Sequence, residues 1–401
     1  MTTRRKALGV LFGLLTSGGI FALGAEAVFR IVPRAIPAKA LVYFEPNLRA
    51  KLAQGRFPTR ADTVLMPRDD GGEPIRIFKP FTVRPYVPDV CGAVEQVPTD
   101  EIGFGNPPGI YASNATLAVV AIGDSYTFPT AVHPSDAWPH RLGAALDRTA
   151  YNLGRGGQGP CEYLQILKRF GLAKAPRTVV MNVYEGNDLR DMAEYLAYRS
   201  GQAPLVAGDG SEGKTGFLWR HSYAWNLAAG SVIYLRDHAR AERLEGHVDY
   251  RFQVGAVPFN AGQGNRDEIV YARKAVAGEI AYAVFAEPLR EFQRLGAAHG
   301  FQPVLAYTPS AAIVYAPVDF RDPEVGRVLD RFSREQRAYL RELAQESGLP
   351  FVDLTEPLRQ LARQAAPTPE NLLYFPGNIH LTARGHAAVA EILAAALADL
   401  P

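Results

Sequence analysis

From residue 116 onward, short runs of unbroken apolar residues alternate with longer stretches whose apolar positions recur at helical spacing. The run Thr116-Leu117-Ala118-Val119-Val120-Ala121-Ile122 is too continuous for a half-exposed strand, which would alternate with polar residues, so it predicts a strand buried on both faces. Similar runs stand at Ala150–Leu153, Thr178–Val183, Pro303–Tyr307 and Pro350–Leu354. Between them the spacing predicts helices over about 137–147, 160–172, 276–299, 324–347 and 382–398. Strand and helix alternating in this way predict an α/β domain, a parallel sheet covered on both faces.

The alternation breaks once. More than a hundred residues separate Asp191 from the fourth run, and they include the polar, Gly-rich stretch Ala207–Lys214. An insertion over about 198–275, helical in part, accounts for them. Its aromatic pieces, Phe217-Leu218-Trp219 and Tyr223-Ala224-Trp225, suit core packing, contact with a membrane surface or a cap over a site. Residues 32–110 are rich in Pro and Arg and read as a spacer followed by an irregular β-rich lead-in, with strand-like pieces at Ala40–Phe44 and Ile75–Phe78.

At the start of the chain, Arg4-Arg5-Lys6 precede an apolar or small run from Ala7 to Ala25, of membrane length. The positive-inside tendency keeps those cations cytoplasmic and sends the rest across. Residues 1–31 therefore read as a cytoplasmic n-region and a single transmembrane signal anchor in a bacterial inner membrane, with the body in the periplasm. Ala25-Glu26-Ala27 resembles a small-x-small cleavage site, and Thr3-Arg4-Arg5 the start of a twin-arginine signal; cleavage there would release a secreted chain. The apolar run exceeds the ~7–15 residues of a signal-peptide core, which favours the uncleaved anchor.

Lys and Arg number 43 against 41 Asp and Glu in 401 residues, and no dense basic run occurs, so a nucleic-acid partner is not expected. The two cysteines, Cys91 and Cys161, could bridge in an oxidising compartment or stand as separate buried thiols. No Cys and His spacing suggests a metal site, and no cofactor is expected.

The chemistry gathers at the ends of the predicted strands. Gly123-Asp124-Ser125 closes the first, which places Ser125 at the carboxyl edge, where open α/β sheets bind ligands. Gly123 permits a tight turn into a following helix, although Asp-Ser at a helix start is also ordinary capping chemistry. After the second strand comes Asn152-Leu153-Gly154-Arg155-Gly156-Gly157-Gln158-Gly159, after the third Glu185-Gly186-Asn187-Asp188, and after the fifth Asn378-Ile379-His380, followed by His386. The glycine run also fits Gly-x-Gly-x-x-Gly, but it follows the second strand rather than the first and no Walker lysine is present, so a nucleotide site is set aside.

These four blocks, in this order over roughly residues 116–400, resemble the SGNH hydrolases, the GDSL family of lipases and esterases. The resemblance implies a three-layer α/β/α domain over 111–401 with a five-stranded parallel, flavodoxin-like sheet. It implies Ser125 as nucleophile and His380 as general base. The oxyanion donors would be the Ser125 N–H, the Asn187 amide and a glycine N–H from Gly154 or, better placed in the longer turn, Gly156 or Gly157. Glu185 departs from the family, which has Gly there. The family also places an Asp two or three residues before its His, where this chain has Asn378 and Gly377. An Asn378 carbonyl can accept the His Nδ1–H but adds no charge. Asp353, Glu356 and Asp188 are alternative orienting acids by topology, although Asp353 and Asp188 each read better as a helix cap.

The expected function is acyl-ester hydrolysis through a Ser125 acyl-enzyme, on an O-acylated carbohydrate or another ester. With a sugar hydroxyl as acceptor the same site becomes a polysaccharide O-acetyltransferase. The anchored layout resembles the periplasmic SGNH-like acetyltransferases of exopolysaccharide modification, which implies polysaccharide-synthesis machinery as a partner. A catalytically reduced glycan-binding or assembly protein is the reading from another class.

Overall fold

In a computed structural model of the chain the five apolar runs form one parallel sheet of β1 (Val119–Gly123), β2 (Ala150–Asn152), β3 (Thr178–Tyr184), β4 (Gln302–Thr308) and β5 (Phe351–Asp353). The strands lie in the order β5-β4-β3-β1-β2. This is the flavodoxin-like order, with its switch point between β1 and β3. Every residue of β1 and β3 is buried, as their unbroken apolar sequences require. The structure describes residues 3–36, 38–53, 63–66, 75–86, 95–202, 216–245, 249–260 and 263–398.

Two helical layers cover the sheet. On one side Trp138–Ala145 packs on Ala383–Ala398; on the other, Ala286–His299 contacts both Pro160–Ile166 and Pro323–Glu346. The longest of these begins where the sequence instructs it to. Asp322 Oδ1 accepts the Glu324 N–H at 3.0 Å, and Pro323 fills a first-turn position that needs no amide donor. One continuous core joins these helices to the sheet.

The described residues group into two compact units. Asp62–Leu205 with His247–Pro401 form the unit that holds the sheet; Met1–Ala61 with Val206–Gly246 form the other. Within the sheet-bearing unit, a hairpin of Arg251–Val254 and Val257–Asn260 takes Asp319–Phe320 as a third strand, and the helix Gln263–Val276 packs on Pro323–Glu346. Ile75–Phe78 is a strand as expected, paired with Thr63–Met66, and Val83–Tyr86 pairs with Glu95–Pro98.

In the other unit the expected strand at Ala40–Phe44 is instead a 3-10 helix, Ala38–Tyr43. Leu41 and Phe44, three residues apart, share a side only in a helical turn, and there they join Ile36, Leu52 and Tyr223 in a small core. The N-terminal helix runs Thr3–Ile31. Among the described residues no helix is long and apolar enough to cross a membrane; side chains 1–15 of the expected span lie outside them. Cys91 also lies outside the described residues, and with it the choice between a Cys91–Cys161 bridge and two separate thiols.

Glu185, at the tip of β3, is fully enclosed and knits two strands to a helix. Its carboxylate accepts Tyr307 Oη at 2.7 Å, Ser333 Oγ at 2.6 Å and Ser310 Oγ at 2.8 Å. Burial pushes this carboxyl up, and the three hydroxyl donors oppose that rise. Replacing it by Ala strands three buried hydroxyls at once. Glu185→Ala is therefore expected to lower stability by at least about 3 kcal/mol in urea denaturation, and Glu185→Gln by less, because the amide carbonyl still accepts.

Candidate active site

β1 delivers Ser125 into a run of tight turns. A Cβ on Gly123 would stand 2.1 Å from Thr127 Oγ1 and 3.0 Å from the Asn182 carbonyl, so only glycine lets the chain fold over itself here. Asp124 folds back on the turn: Oδ1 accepts the Tyr126 N–H at 2.8 Å, and its carbonyl accepts the amides of Thr127 and Phe128. The helix expected directly after Ser125 does not form. Pro129 and Pro134 remove amide donors, Ala131 takes a left-handed conformation at φ +61°, and the next α-helix starts at Trp138. Asp124 thus shapes a turn rather than capping a helix.

His380 comes from the segment after β5. The Phe375 N–H bonds to the His380 carbonyl and the Ile379 N–H to the Phe375 carbonyl, both at 2.8 Å, and Ile379 holds φ +54°. This tight loop brings His380 Nε2 to 2.8 Å from Ser125 Oγ. The imidazole lies against Tyr126, ring centroids 5.0 Å apart at 27°, and the Tyr126 hydroxyl donates to the Ile379 carbonyl at 2.9 Å. Tyr126 also stacks against Tyr184, at 3.4 Å and 14°, and Tyr184 Oη donates to Glu268 at 2.7 Å. Burial lowers the His380 pKa to about 4, so the ring is neutral near pH 7 and Nε2 can accept the Ser125 proton.

The other nitrogen, Nδ1, is buried and has no hydrogen-bond partner among the described residues. Asn378 does not supply one, because its Oδ1 accepts the backbone N–H of His380 at 3.0 Å. Asp353 does not either. It closes the edge strand β5, accepts the Thr355 N–H at 3.0 Å and pairs with Arg341 at 2.8 Å and Arg337 at 3.5 Å. Glu356 faces Arg359 and Arg363, both at 3.9 Å, and Asp188 takes the Tyr163 hydroxyl at 2.8 Å and the Tyr184 N–H at 3.1 Å. Each expected orienting group is committed to the start of the following helix, to its own loop or to neighbouring side chains. The described site is a Ser-His pair held by aromatic stacking.

The glycine turn is resolved among its three candidates. The Gly154 N–H is taken by Asn152 Oδ1 at 2.8 Å, which removes it as a donor. A Cβ on Gly156 would lie 3.1 Å from Ser125 Cβ, whereas one on Gly157, at φ +72°, would meet nothing within 4 Å. Gly156 is the residue set against the nucleophile. Asn187 follows β3, its Nδ2 donates to Asp191 Oδ2 at 2.6 Å, and its side chain also hydrogen-bonds the Asp124 carboxylate. Asp191 is itself gripped by Arg190 at 2.7 and 2.8 Å. Burial, with Asp191 nearby, raises Asp124 to about 7, and burial raises Asp188 well above its ordinary range.

Three contributors escaped the sequence reading. Asn152, whose Nδ2 also donates to the Thr127 carbonyl at 2.7 Å, ties the glycine turn to the nucleophile turn. Asp191 stands one helical turn from Asn187, a spacing that could have flagged it. Tyr126 carries no signal beyond its place next to Ser125. Among the other histidines, His386 accepts the Trp138 N–H at 3.2 Å in the core, His140 faces Asn106 at 3.0 Å and His133 faces Ser135 at 2.8 Å. No group of His, Cys, Asp and Glu among the described residues is arranged to hold a metal ion.

The Ser125 hydroxyl and a neutral imidazole are thus in contact at the carboxyl edge of a flavodoxin-order sheet, an arrangement chemically able to activate a serine. No family model matches the chain, and no curated protein matches it. Among solved structures it is similar to a G-D-S-L family lipolytic protein from Desulfitobacterium hafniense, at 14% identity over 71% of this chain and 100% of that one, TM-score 0.35. It is also similar to an acetylxylan esterase from Geobacillus stearothermophilus, at 12% identity over 71% of this chain and 95% of that one, TM-score 0.35. A third is an alpha/beta hydrolase enzyme from the metagenome of Lake Arreo, Spain, at 14% identity over 72% and 98% of the two chains, TM-score 0.36.

Substitutions at two positions test the geometry around His380. Asp353→Asn should leave the rate at which a fluorophosphonate labels Ser125 within about threefold of the parent, whereas losing a true triad acid costs ~10⁴. Tyr126→Leu should slow labelling by about 10²-fold through a misplaced imidazole, and Tyr126→Phe, which keeps the stack, by much less.

Proposed function

We propose that the chain is an acyl-ester hydrolase of SGNH type, working through an acyl-enzyme on Ser125. The observation that carries this reading is the 2.8 Å contact between Ser125 Oγ and His380 Nε2. The proton leaves Oγ for Nε2 as the Ser125 oxygen bonds to the ester carbonyl carbon. The N–H groups of Ser125 and Gly156 and the side-chain amide of Asn187 are the donors proposed to face the resulting oxyanion. The imidazolium returns its proton to the leaving alcohol, and water or a sugar hydroxyl then takes the acyl group. The proposed substrates are O-acylated carbohydrates or similar esters, met outside the cytoplasm by a chain held through its N-terminal segment in the inner membrane.

One observation favours a second reading. The unpartnered Nδ1 of His380 leaves an imidazolium without the carboxylate that usually stabilises it, which suits a catalytically reduced glycan-binding protein.

Fluorophosphonate labelling with p-nitrophenyl acetate turnover separates the two. The enzyme reading expects both in the parent chain and neither in Ser125→Ala; a parent that does neither sinks it. The pH profile is a further check. His380 acts as a base only when neutral, so turnover should hold from about pH 5 upward and fall as the pH drops through about 4, the value to which burial lowers it.

A further inference from the structure

The large apolar side chains left exposed are not spread over the protein. Among the described residues all but Phe81 and Leu196 belong to the unit formed by Met1–Ala61 and Val206–Gly246. Scattered exposed apolar residues are ordinary, but a concentration in one unit marks a surface that something covers.

Half of them sit on the N-terminal helix and its exit, with Phe21 79% and Ile31 80% exposed. The rest sit on Phe217–His221 and the first half of the helix Tyr223–Glu245. On that helix the buried positions are Tyr223, Asn226 and Gly230, whereas Trp225, Ala228, Val232 and Leu235 are exposed. At 3.6 residues per turn these two sets fall on opposite sides. The inner side faces this unit's own small core, where Tyr223 and Leu227 meet Leu41 and Phe44. The outer side is an apolar stripe from Trp225 to Leu235, about 15 Å long at 1.5 Å per residue, and it stops at Leu235. The next residues, Arg236-Asp237-His238-Ala239-Arg240, are mostly charged.

The stripe is joined to the N-terminal helix by polar bonds within the unit. Glu26 accepts Ser222 Oγ at 2.8 Å and the Ala224 N–H at 2.9 Å, and Arg30 donates to the His221 carbonyl at 2.6 Å. Glu26 and Arg30 also pair with each other at 2.8 Å. This is the level at which the apolar run Ala7–Ala25 ends. Phe217, Trp219 and Trp225 gather in the same corner, in the manner of the aromatic belt at a membrane surface.

We propose that the outer face of the helix Tyr223–Glu245, with Phe217 and Leu218, docks into the headgroup and upper acyl region of the bilayer that the N-terminal helix enters. The chain then holds the membrane at two places, one spanning and one interfacial. Continuity with the apolar N-terminal run selects lipid over a protein partner, and the abrupt change to charge after Leu235 marks where the helix leaves the apolar layer. The proposal rests on the N-terminal segment being in the membrane and is independent of the chemistry at Ser125.

The test uses the full chain reconstituted in phosphatidylcholine vesicles whose acyl chains carry bromine, a contact quencher of tryptophan. Trp219→Phe leaves Trp225 and the fully buried Trp138 as emitters. Trp225 emission should be lost in brominated vesicles and be insensitive to aqueous iodide; Trp219→Phe with Trp225→Phe should lose the bromine-sensitive part. Val232→Asp with Leu235→Asp, both on the outer face, should abolish the quenching while Ser125 labelling persists. Trp225 open to iodide and untouched by bromine overturns the docking. Trp225 shielded from both overturns the lipid assignment in favour of a second copy or another protein. Alkaline carbonate washing separates the two levels: a chain that washes off refutes the anchor, while a retained chain with Trp225 in water refutes only the interfacial contact.

Discussion

Asp124, Asn152, Asn182, Glu185 and Asp188 stand at or next to the carboxyl ends of β1, β2 and β3, and all five are sealed from water. Buried polar groups must find partners inside the protein, and here the partners are the loops that make the site. Asp124 fixes the nucleophile turn, Asn152 binds it to the glycine turn, and Asn182 reaches Thr127 Oγ1 at 3.2 Å and Thr308 Oγ1 at 2.7 Å. Glu185 and Asp188 do the same for the loop that carries Asn187. Ser125 adds bonds of its own, its carbonyl accepting Thr130 Oγ1 at 2.9 Å and its Oγ meeting His380 Nε2 at 2.8 Å, but the turn that carries it is set by these neighbours.

That dependence decides what could be read in advance. The five strands and most helices were legible because a parallel sheet buried on both faces writes itself as unbroken apolar runs, and Gly123 announced a close approach. The 3-10 turn at Ala38–Tyr43 was not legible, since five apolar residues in a row carry no period. The turns after Ser125 were obscured for a similar reason: Asp-Ser looks alike in a cap and in a turn, and the prolines that decide the matter lie four and nine residues further on. Ser125, Gly156 and His380 converge as motif order suggests. The orienting group did not follow from sequence, because Asn378 and Asp353 are spent on backbone amides and arginines that no linear pattern reveals.

The aromatic column replaces geometry but not charge. Stacking between Tyr184, Tyr126 and His380 restrains the ring plane, and the Tyr126 hydroxyl holds the backbone just before the histidine. It offers nothing to a positive imidazole, whose formation burial already disfavours. On the proposed function such a base would be well positioned and weak, and the weakness would fall on proton transfer from Ser125.

Ser125 and His380 lie on opposite sides of the domain in sequence, so the nucleophile turn can form long before its base exists. As the chain is made from its N-terminus, β1, β2 and β3 come first, and His380 follows only after β5. Until the Phe375–His380 loop closes over Tyr126, Ser125 has no imidazole beside it. On the proposed function, a partly made chain therefore carries the serine without the base it needs.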